Sequence, residues 1–412
     1  MKTVYKNTVR AFFAFLACCM AAGCVPRAAL KTPAGLCMKK LDVSDYPVFR
    51  DSMDFRGLEV SIGRSLAYLE KLPPGRRFRY ADSQFTAAHL IRSMKVFAGF
   101  LKNSPDPDSL NRFIRSRFLV YEAVGNEDGR VVFTGYFEPF CKGCLKKTGE
   151  CRWPVYSRPD DMLEINMAAF SQRYKGQPRL MARVDQEKKQ VVPYYSRARI
   201  NAMPDFADTA QPLVWLKSRV DRFFLEIQGS GRVELENGEI LRLHYAAANG
   251  RPYRSIGRYL IRHNEIARKD MSMQAIRTWL ELHPERVDEV LNHNESFVFF
   301  RTEQGGPYGS LGVEVTPMRS IATDPGCFPK ASLCFVSTKL ADRVNINPLK
   351  KWEKADFFVL NQDTGGAVRG AARADIFFGS SLYARFAAGH MNQKGRLFFL
   401  VLKPGSMAGA EF

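Results

Sequence analysis

Apolar residues recur at helical spacing over Leu58 to Leu72 and again over Phe85 to Lys102, which predicts two helices near the start of the chain. Pro73-Pro74-Gly75 ends the first, and Asn103 to Asp108 reads as a Pro/Asp/Ser loop. Residues 25–57 read as a tether and lead-in. From about Phe118 the texture changes: short runs rich in Val, Phe, Tyr and Leu alternate with turns, as in a β-barrel or sandwich. Val233 to Leu235 and Ile240 to His244 flank Asn237-Gly238, a tight-turn pair suited to positive φ, which predicts a hairpin. Ser272 is placed to cap a helix running to about His283, and Pro284 to open the next, with Glu285 in its first turn. Leu397 to Leu402 is unbroken apolar sequence, the pattern of a strand buried on both faces in a closed barrel.

The chain has 412 residues, 46% of them hydrophobic, which suffices for a real core and for two domains. It is too polar for a multi-span membrane protein. No fixed-period repeat or low-complexity tract interrupts it.

The N-terminus predicts export. Lys2, Lys6 and Arg10 precede an apolar stretch, Ala11 to Met20, too short to span a bilayer, and small residues follow. Ala21-Ala22-Gly23-Cys24 resembles a bacterial lipobox, so residues 1–24 are expected to be a lipoprotein signal, with Cys24 the lipidated residue. Val25 after the cysteine favours the outer membrane, which places the protein on its periplasmic face.

Net charge is +19, spread along the chain. Such an excess suits a polyanion or is simply a solvated surface. In an exported protein the partner at hand is the cell wall, whose peptides carry carboxylates, and nucleic acid is set aside. Six cysteines follow Cys24: Cys37, Cys141, Cys144, Cys151, Cys327 and Cys334. An even number in an oxidising compartment predicts disulfides, with pairing open, although Cys327 and Cys334 are close enough to bridge a loop. Cys141-Lys142-Gly143-Cys144 lacks a second knuckle and is not expected to hold metal.

Common catalytic signatures are missing. The histidines show no HExxH spacing, Gly229-Ser230-Gly231 is not a nucleophile elbow, and no phosphate or dinucleotide loop occurs. Acids near the C-terminus remain. Asp363-Thr364-Gly365-Gly366 runs to Gly370, Arg373-Ala374-Asp375 follows, and Asp324-Pro325 lies upstream. Glycines beside Asp363 allow close backbone approach, so its carboxylate can sit at a groove edge. Taken alone, Asp363 is equally explained as a turn cap and Asp375 as a solvated strand end.

The three acids in this order resemble the three-aspartate (3D) domain. Further segments resemble the MltA family of murein lytic transglycosylases: Phe133-Thr134-Gly135-Tyr136-Phe137-Glu138-Pro139, Pro193 to Arg197, Phe224 to Gly231, Tyr245 to Tyr253 with Ser255-Ile256-Gly257, Asn294 to Phe300, and Gly306-Pro307-Tyr308-Gly309. The likeness runs from about residue 118 to the end. It implies a mainly β fold: a double-psi β-barrel catalytic domain (45–136 and 313–412), a second β-barrel domain inserted into it (137–312), N-terminal helices, and a groove for glycan between the barrels. It implies an enzyme that cuts the β-1,4 bond from N-acetylmuramic acid to N-acetylglucosamine and leaves 1,6-anhydro ends, with no cofactor or metal. Asp375 is the implied acid and base. Asp363 is its neighbour in the site, and Asp324 is read mostly as structural. Thr134, Tyr136, Gln228, Ser230, Asn249, Tyr253 and Ser255 are the implied substrate contacts. Phe297 departs from the family's usual Tyr, and Lys330-Ala331-Ser332 from its usual loop. Two other readings stand beside this one: a peptidoglycan hydrolase in which Asp363 and Asp375 share the work, and a wall-binding lipoprotein with no activity.

Overall fold

The computed structural model describes residues 37–342 and 352–405. The expected signal and Cys24 lie outside the described residues. Helices form where the apolar spacing places them. Leu58–Leu69 buries Leu58, Ile62, Ser65 and Leu69, one stripe at helical spacing. Ala87–Leu101 follows, capped by Thr86, whose hydroxyl accepts from the His89 amide at 3.2 Å. Phe85 therefore belongs to the strand before this helix, not to the helix. A third helix, Pro107–Arg117, starts inside the stretch that reads as loop, taking Pro107 and Asp108 from it. Asp106 accepts from the Asp108 and Ser109 amides, and Pro107 stands at the first helical position, where a missing N–H costs nothing.

Nineteen strands occur among the described residues. The first five are β1 (Met38–Lys40), β2 (Arg77–Tyr80), β3 (Ser83–Thr86), β4 (Phe118–Ala123) and β5 (Val131–Tyr136). Then come β6 (Phe140–Cys144), β7 (Trp153–Tyr156), β8 (Leu163–Ile165), β9 (Leu180–Asp185), β10 (Gln190–Pro193), β11 (Pro212–Leu216), β12 (Ser230–Glu234), β13 (Ile240–Ala248) and β14 (Val298–Thr302). The last are β15 (Ser320–Ala322), β16 (Leu333–Ala341), β17 (Trp352–Asp363), β18 (Arg373–Phe377) and β19 (Asn392–Leu402).

Two sheets dominate, so the fold is mainly β. In the larger, β19, β16, β17, β15, β18 and β5 follow one another, and β5 pairs back onto β19, closing a six-stranded ring. The N-terminal half of β19 pairs with β5 and its C-terminal half with β4, beyond which lies β1. Leu397 to Leu402 are all buried, as their unbroken apolar run predicts. Their cover includes helix Ala87–Leu101, where His89 Nε2 meets the Leu402 carbonyl at 2.7 Å. Phe335 and Phe358 meet at 5.0 Å between centroids, Phe49 approaches Phe335 at 5.0 Å, and Phe97 approaches Phe358 at 5.0 Å.

A six-stranded sheet runs β14-β13-β12-β6-β11-β7, with a bridge from Ser157 to Phe300 drawing its two edges together. Val155, Val214, Leu216, Val233 and Leu243 fill it. The predicted hairpin is β12–β13, with Gly238 at φ 82°. Helix Met273–Leu282 is capped by Ser272. Pro284 opens a 3-10 turn, Pro284–Arg286, before helix Val287–Asn292.

Among the described ion pairs, that of Arg319 and Asp51 has no exposed side-chain surface at all, and the two are joined at 2.6 Å and 2.9 Å. Arg319 also donates to the carbonyls of Arg56 and Phe358, each at 2.8 Å, while Asp51 accepts from the amides of Met53 and Phe358. Every polar group is answered, which burial of charge demands.

The cysteines pair differently from the local bridge considered above. Cys327 bonds Cys37, and Cys144 bonds Cys151. Cys334 is a buried free thiol on β16. Cys141, also free and buried, sits three residues from Cys144 on β6, which turns the two side chains to opposite faces. The Cys37–Cys327 bond closes a separation of 290 residues. Replacing both cysteines with Ala is expected to lower stability by about 2–4 kcal/mol through the freed unfolded chain. Urea unfolding under non-reducing conditions checks this, and an unchanged midpoint would refute it.

Candidate active site

One strand holds both acids. Along β5, Thr134 and Tyr136 point to the same face because side chains alternate in a strand. Thr134 stands opposite Asp375 of β18, and its hydroxyl donates to Asp375 Oδ1. The Tyr136 hydroxyl donates to Asp363 Oδ2 at 2.9 Å. Asp363 and Asp375 flank the same residue, Ala322 of β15, one from each side. Between Thr134 and Tyr136 only glycine fits: a Cβ on Gly135 would lie 2.7 Å from the Ala388 backbone and 2.7 Å from the Phe378 ring.

Asp363 is fully engaged. Oδ1 accepts from the amides of Ser310 and Thr364, each at 2.8 Å, beside the Tyr136 bond to Oδ2. The loop that brings Ser310 needs glycine at 309, where a Cβ would sit 2.5 Å from the Gln362 carbonyl oxygen. Gln362 itself is buried and tied to the first helix: its amide donates to the Ser61 carbonyl at 2.7 Å and to Ser65 Oγ at 2.9 Å. These bonds hold the end of β17 in place. Burial pushes the Asp363 carboxyl up to about 6, against its hydrogen bonds, and the charge of Asp375 adds to the rise. Burial, then the charge of Asp363, pushes the Tyr136 phenol well above its ordinary value.

Asp375 is held by one oxygen. Oδ1 takes the Thr134 hydroxyl and Arg373 Nε at 3.3 Å, while no hydrogen bond reaches Oδ2 among the described residues. Arg373 also donates to Thr134 Oγ1 at 3.1 Å and to the Ala367 carbonyl at 3.2 Å, tying the glycine loop to the acid. Sequence reasoning missed Arg373. Its spacing of two from Asp375 on a strand puts both on one face, which is the signal that could have found it. Asp324 is elsewhere employed: it accepts from Gly326 N at 2.9 Å and from Gly370 N at 2.7 Å, clamping that loop, and bonds neither of the other acids.

A cavity of about 810 Å³ opens beside the residues that hold Asp375. Thr134 and Arg373 border it from the ring, and Gln228, Tyr253 and Ser255 from the surrounding helices and loops. Gln228 ends helix Arg219–Gln228 and accepts from the Phe137 amide at 3.0 Å. Ser255 caps helix Ile256–Arg262. Tyr253 is 40% exposed and feels the charges of Arg373 and Asp375. Three residues expected at the ligand do not line this cavity: Tyr136, whose hydroxyl is given to Asp363, Ser230 and Asn249. Ser230 opens β12 opposite His244. Asn249 is 1% exposed, and its amide donates to the carbonyls of Tyr195 and Glu295 while its oxygen accepts from the amides of Arg251 and Phe297. All its hydrogen-bonding capacity holds loops together, so the expected ligand contact at Asn249 is replaced by a structural one.

The raised Asp363 carboxyl has a consequence for stability. Its ordinary value is 3.8 and its folded value about 6, so across that window the unfolded chain ionises first. Stability from this group is full below pH 3.8, is lost as pH rises to about 6, and then levels off. Urea midpoints taken through the window are expected to fall more steeply for the wild type than for Asp363→Asn. Parallel profiles would show that this carboxyl is not the group titrating.

Residues 132–301 match the family model described as the MltA specific insert domain, and residues 319–401 match the 3D domain. The chain is 31% identical to membrane-bound lytic murein transglycosylase A of Escherichia coli (strain K12) over 287 residues, 68% of this chain and 67% of that protein. Its identity to the Vibrio cholerae protein of the same name is 29% over 306 residues, 73% of each chain. Among solved structures, a membrane-bound lytic murein transglycosylase from Agrobacterium tumefaciens superposes with a TM-score of 0.70 at 26% identity, covering 89% of this chain and 98% of that one.

Proposed function

The chain belongs to the MltA family of lytic murein transglycosylases, and from that premise we propose that it cleaves peptidoglycan glycan strands between N-acetylmuramic acid and N-acetylglucosamine, closing 1,6-anhydro ends with Asp375 as the single acid and base. Asp375 Oδ2 carries the proton to the glycosidic oxygen. The bond from that oxygen to muramyl C1 breaks, and the leaving sugar departs with the proton. The muramyl C6 hydroxyl then attacks C1, closes the ring and returns a proton to Asp375. No water is consumed, which departs from the two-carboxylate plan of glycosidases.

What supports this reading is the unequal state of the two acids. Asp363 takes three donors, two on Oδ1 and one on Oδ2, so both of its oxygens are already engaged in holding the fold. Asp375 keeps Oδ2 without a donor among the described residues, and the two residues that hold its other oxygen, Thr134 and Arg373, border a cavity large enough for a sugar. The same inequality weighs against the hydrolase. Thr134 and Arg373 position the acid, and Tyr253, Gln228 and Ser255 line the sugar's path.

For anchoring, no described helix is long and apolar enough to cross a membrane. We assign attachment to lipid on Cys24, at the periplasmic face of the outer membrane.

Mass spectrometry of purified peptidoglycan digested by the chain from Val25 onward tests the reaction. Muropeptides lighter by one water than hydrolysed ones are expected. Reducing ends would instead mean hydrolysis, and no products from a folded protein that still sediments with the wall would leave only a binding module.

A further inference from the structure

One wall of the cavity is cationic, and the proposed reaction makes no use of it. Helix Ile256–Arg262 carries Arg258 and Arg262 one turn apart, the turn Arg268–Asp270 adds Arg268, and all three line the cavity that Thr134 and Arg373 border. No Asp or Glu lines it. Neither an ion pair nor a side-chain hydrogen bond engages these three guanidiniums among the described residues. Arginines nearby are paired: Arg254 with Glu295 at 3.0 Å, Arg277 with Asp221 at 2.6 Å, and Arg286 with Glu289 at 3.1 Å. Like charges four residues apart on a helix repel, so Arg258 and Arg262 stand together at a cost that a bound anion would relieve. Burial, then Arg254 and Arg262, hold the His293 imidazole below its ordinary range, a sign of the same positive field.

Between the arginines the lining is apolar, with Ile227, Ile261, Met271 and Ile276. A neutral glycan has no use for three guanidiniums, whose planar donors match carboxylates. Muramic acid, through its lactyl group, carries a short peptide with carboxylates and aliphatic side chains. We infer that this wall is a carboxylate subsite for the acidic peptide borne by the bound strand, so that the enzyme prefers peptide-bearing strands over bare glycan. The inference rests on the proposed substrate, and its test does not require turnover.

Arg258, Arg262 and Arg268 are exposed, so the triple change to Gln leaves the core untouched. Binding of the mature chain is measured by co-sedimentation with peptide-bearing strands and by direct titration with strands stripped of peptide by an amidase. The triple variant is expected to lose about tenfold or more in affinity for peptide-bearing strands and to keep its affinity for bare ones. Equal wild-type affinity for both substrates, or the same loss on both, overturns the subsite. Anhydro products formed without any binding preference would remove the subsite and keep the reaction. A preference that the triple variant loses, with no products from the wild type, would remove the reaction and keep the subsite.

Discussion

Asp375→Asn is expected to abolish strand cleavage and leave the protein folded. General acid–base catalysis contributes about 100- to 10,000-fold, and a group that serves both proton transfers should fall at the upper end. Asn keeps a carbonyl oxygen to accept from Thr134 and Arg373, so the contacts on Oδ1 survive the change. It cannot deliver a proton and recover it. Turnover on purified peptidoglycan gives the rate, and a thermal melt alongside reports the fold. A folded variant retaining more than about a tenth of wild-type activity would move the acid elsewhere, with Asp363 the first place to look.

Arg319→Met is expected to be the most damaging single change to stability. It strands Asp51, which is 0% exposed, without its partner. Removing one half of a buried ion pair costs about 3–5 kcal/mol, because the remaining charge has neither water nor counter-ion. Arg319 also precedes β15, the strand between the two acids, so partial unfolding there would reach the site. Replacing both residues with apolar ones should cost much less than the single change, since no lone charge is then buried. Urea unfolding of the single and double variants separates the two cases. A loss below about 1 kcal/mol in Arg319→Met would mean that the charge finds water after all.

The parts legible in the sequence are those written locally. The apolar run of β19, the Asn237-Gly238 turn and the Ser272 cap each carry their signal within a few residues. The start of helix Pro107–Arg117 is written locally too, in Asp106-Pro107, but proline also punctuates loops, and the stretch to Asp108 reads as loop. The acids stood out through the spacing of Asp363, the glycines and Asp375. What each acid does was not legible, because it depends on partners far away: Thr134 lies 241 residues from Asp375, and Tyr136 lies 227 from Asp363. The Cys37–Cys327 bond was hidden for the same reason. Asn249 misled in the opposite direction. A polar residue beside a glycine in a family-like motif suggests a ligand contact, yet a carboxamide can equally well tie two loops, and here it does.

Ring closure also sets the order in which the site can form. A chain made from its N-terminus presents β5 early and β18 and β19 last. Until those final strands arrive, β5 lacks both of its neighbours in the ring, and Thr134 has no Asp375 to hold. Such long-range closure is entropically late in folding. A nascent or truncated chain ending before Asn392 therefore carries the acid but lacks the strand that completes the ring around it. Such an unfinished ring is expected to leave the site unformed until the last strand is in place.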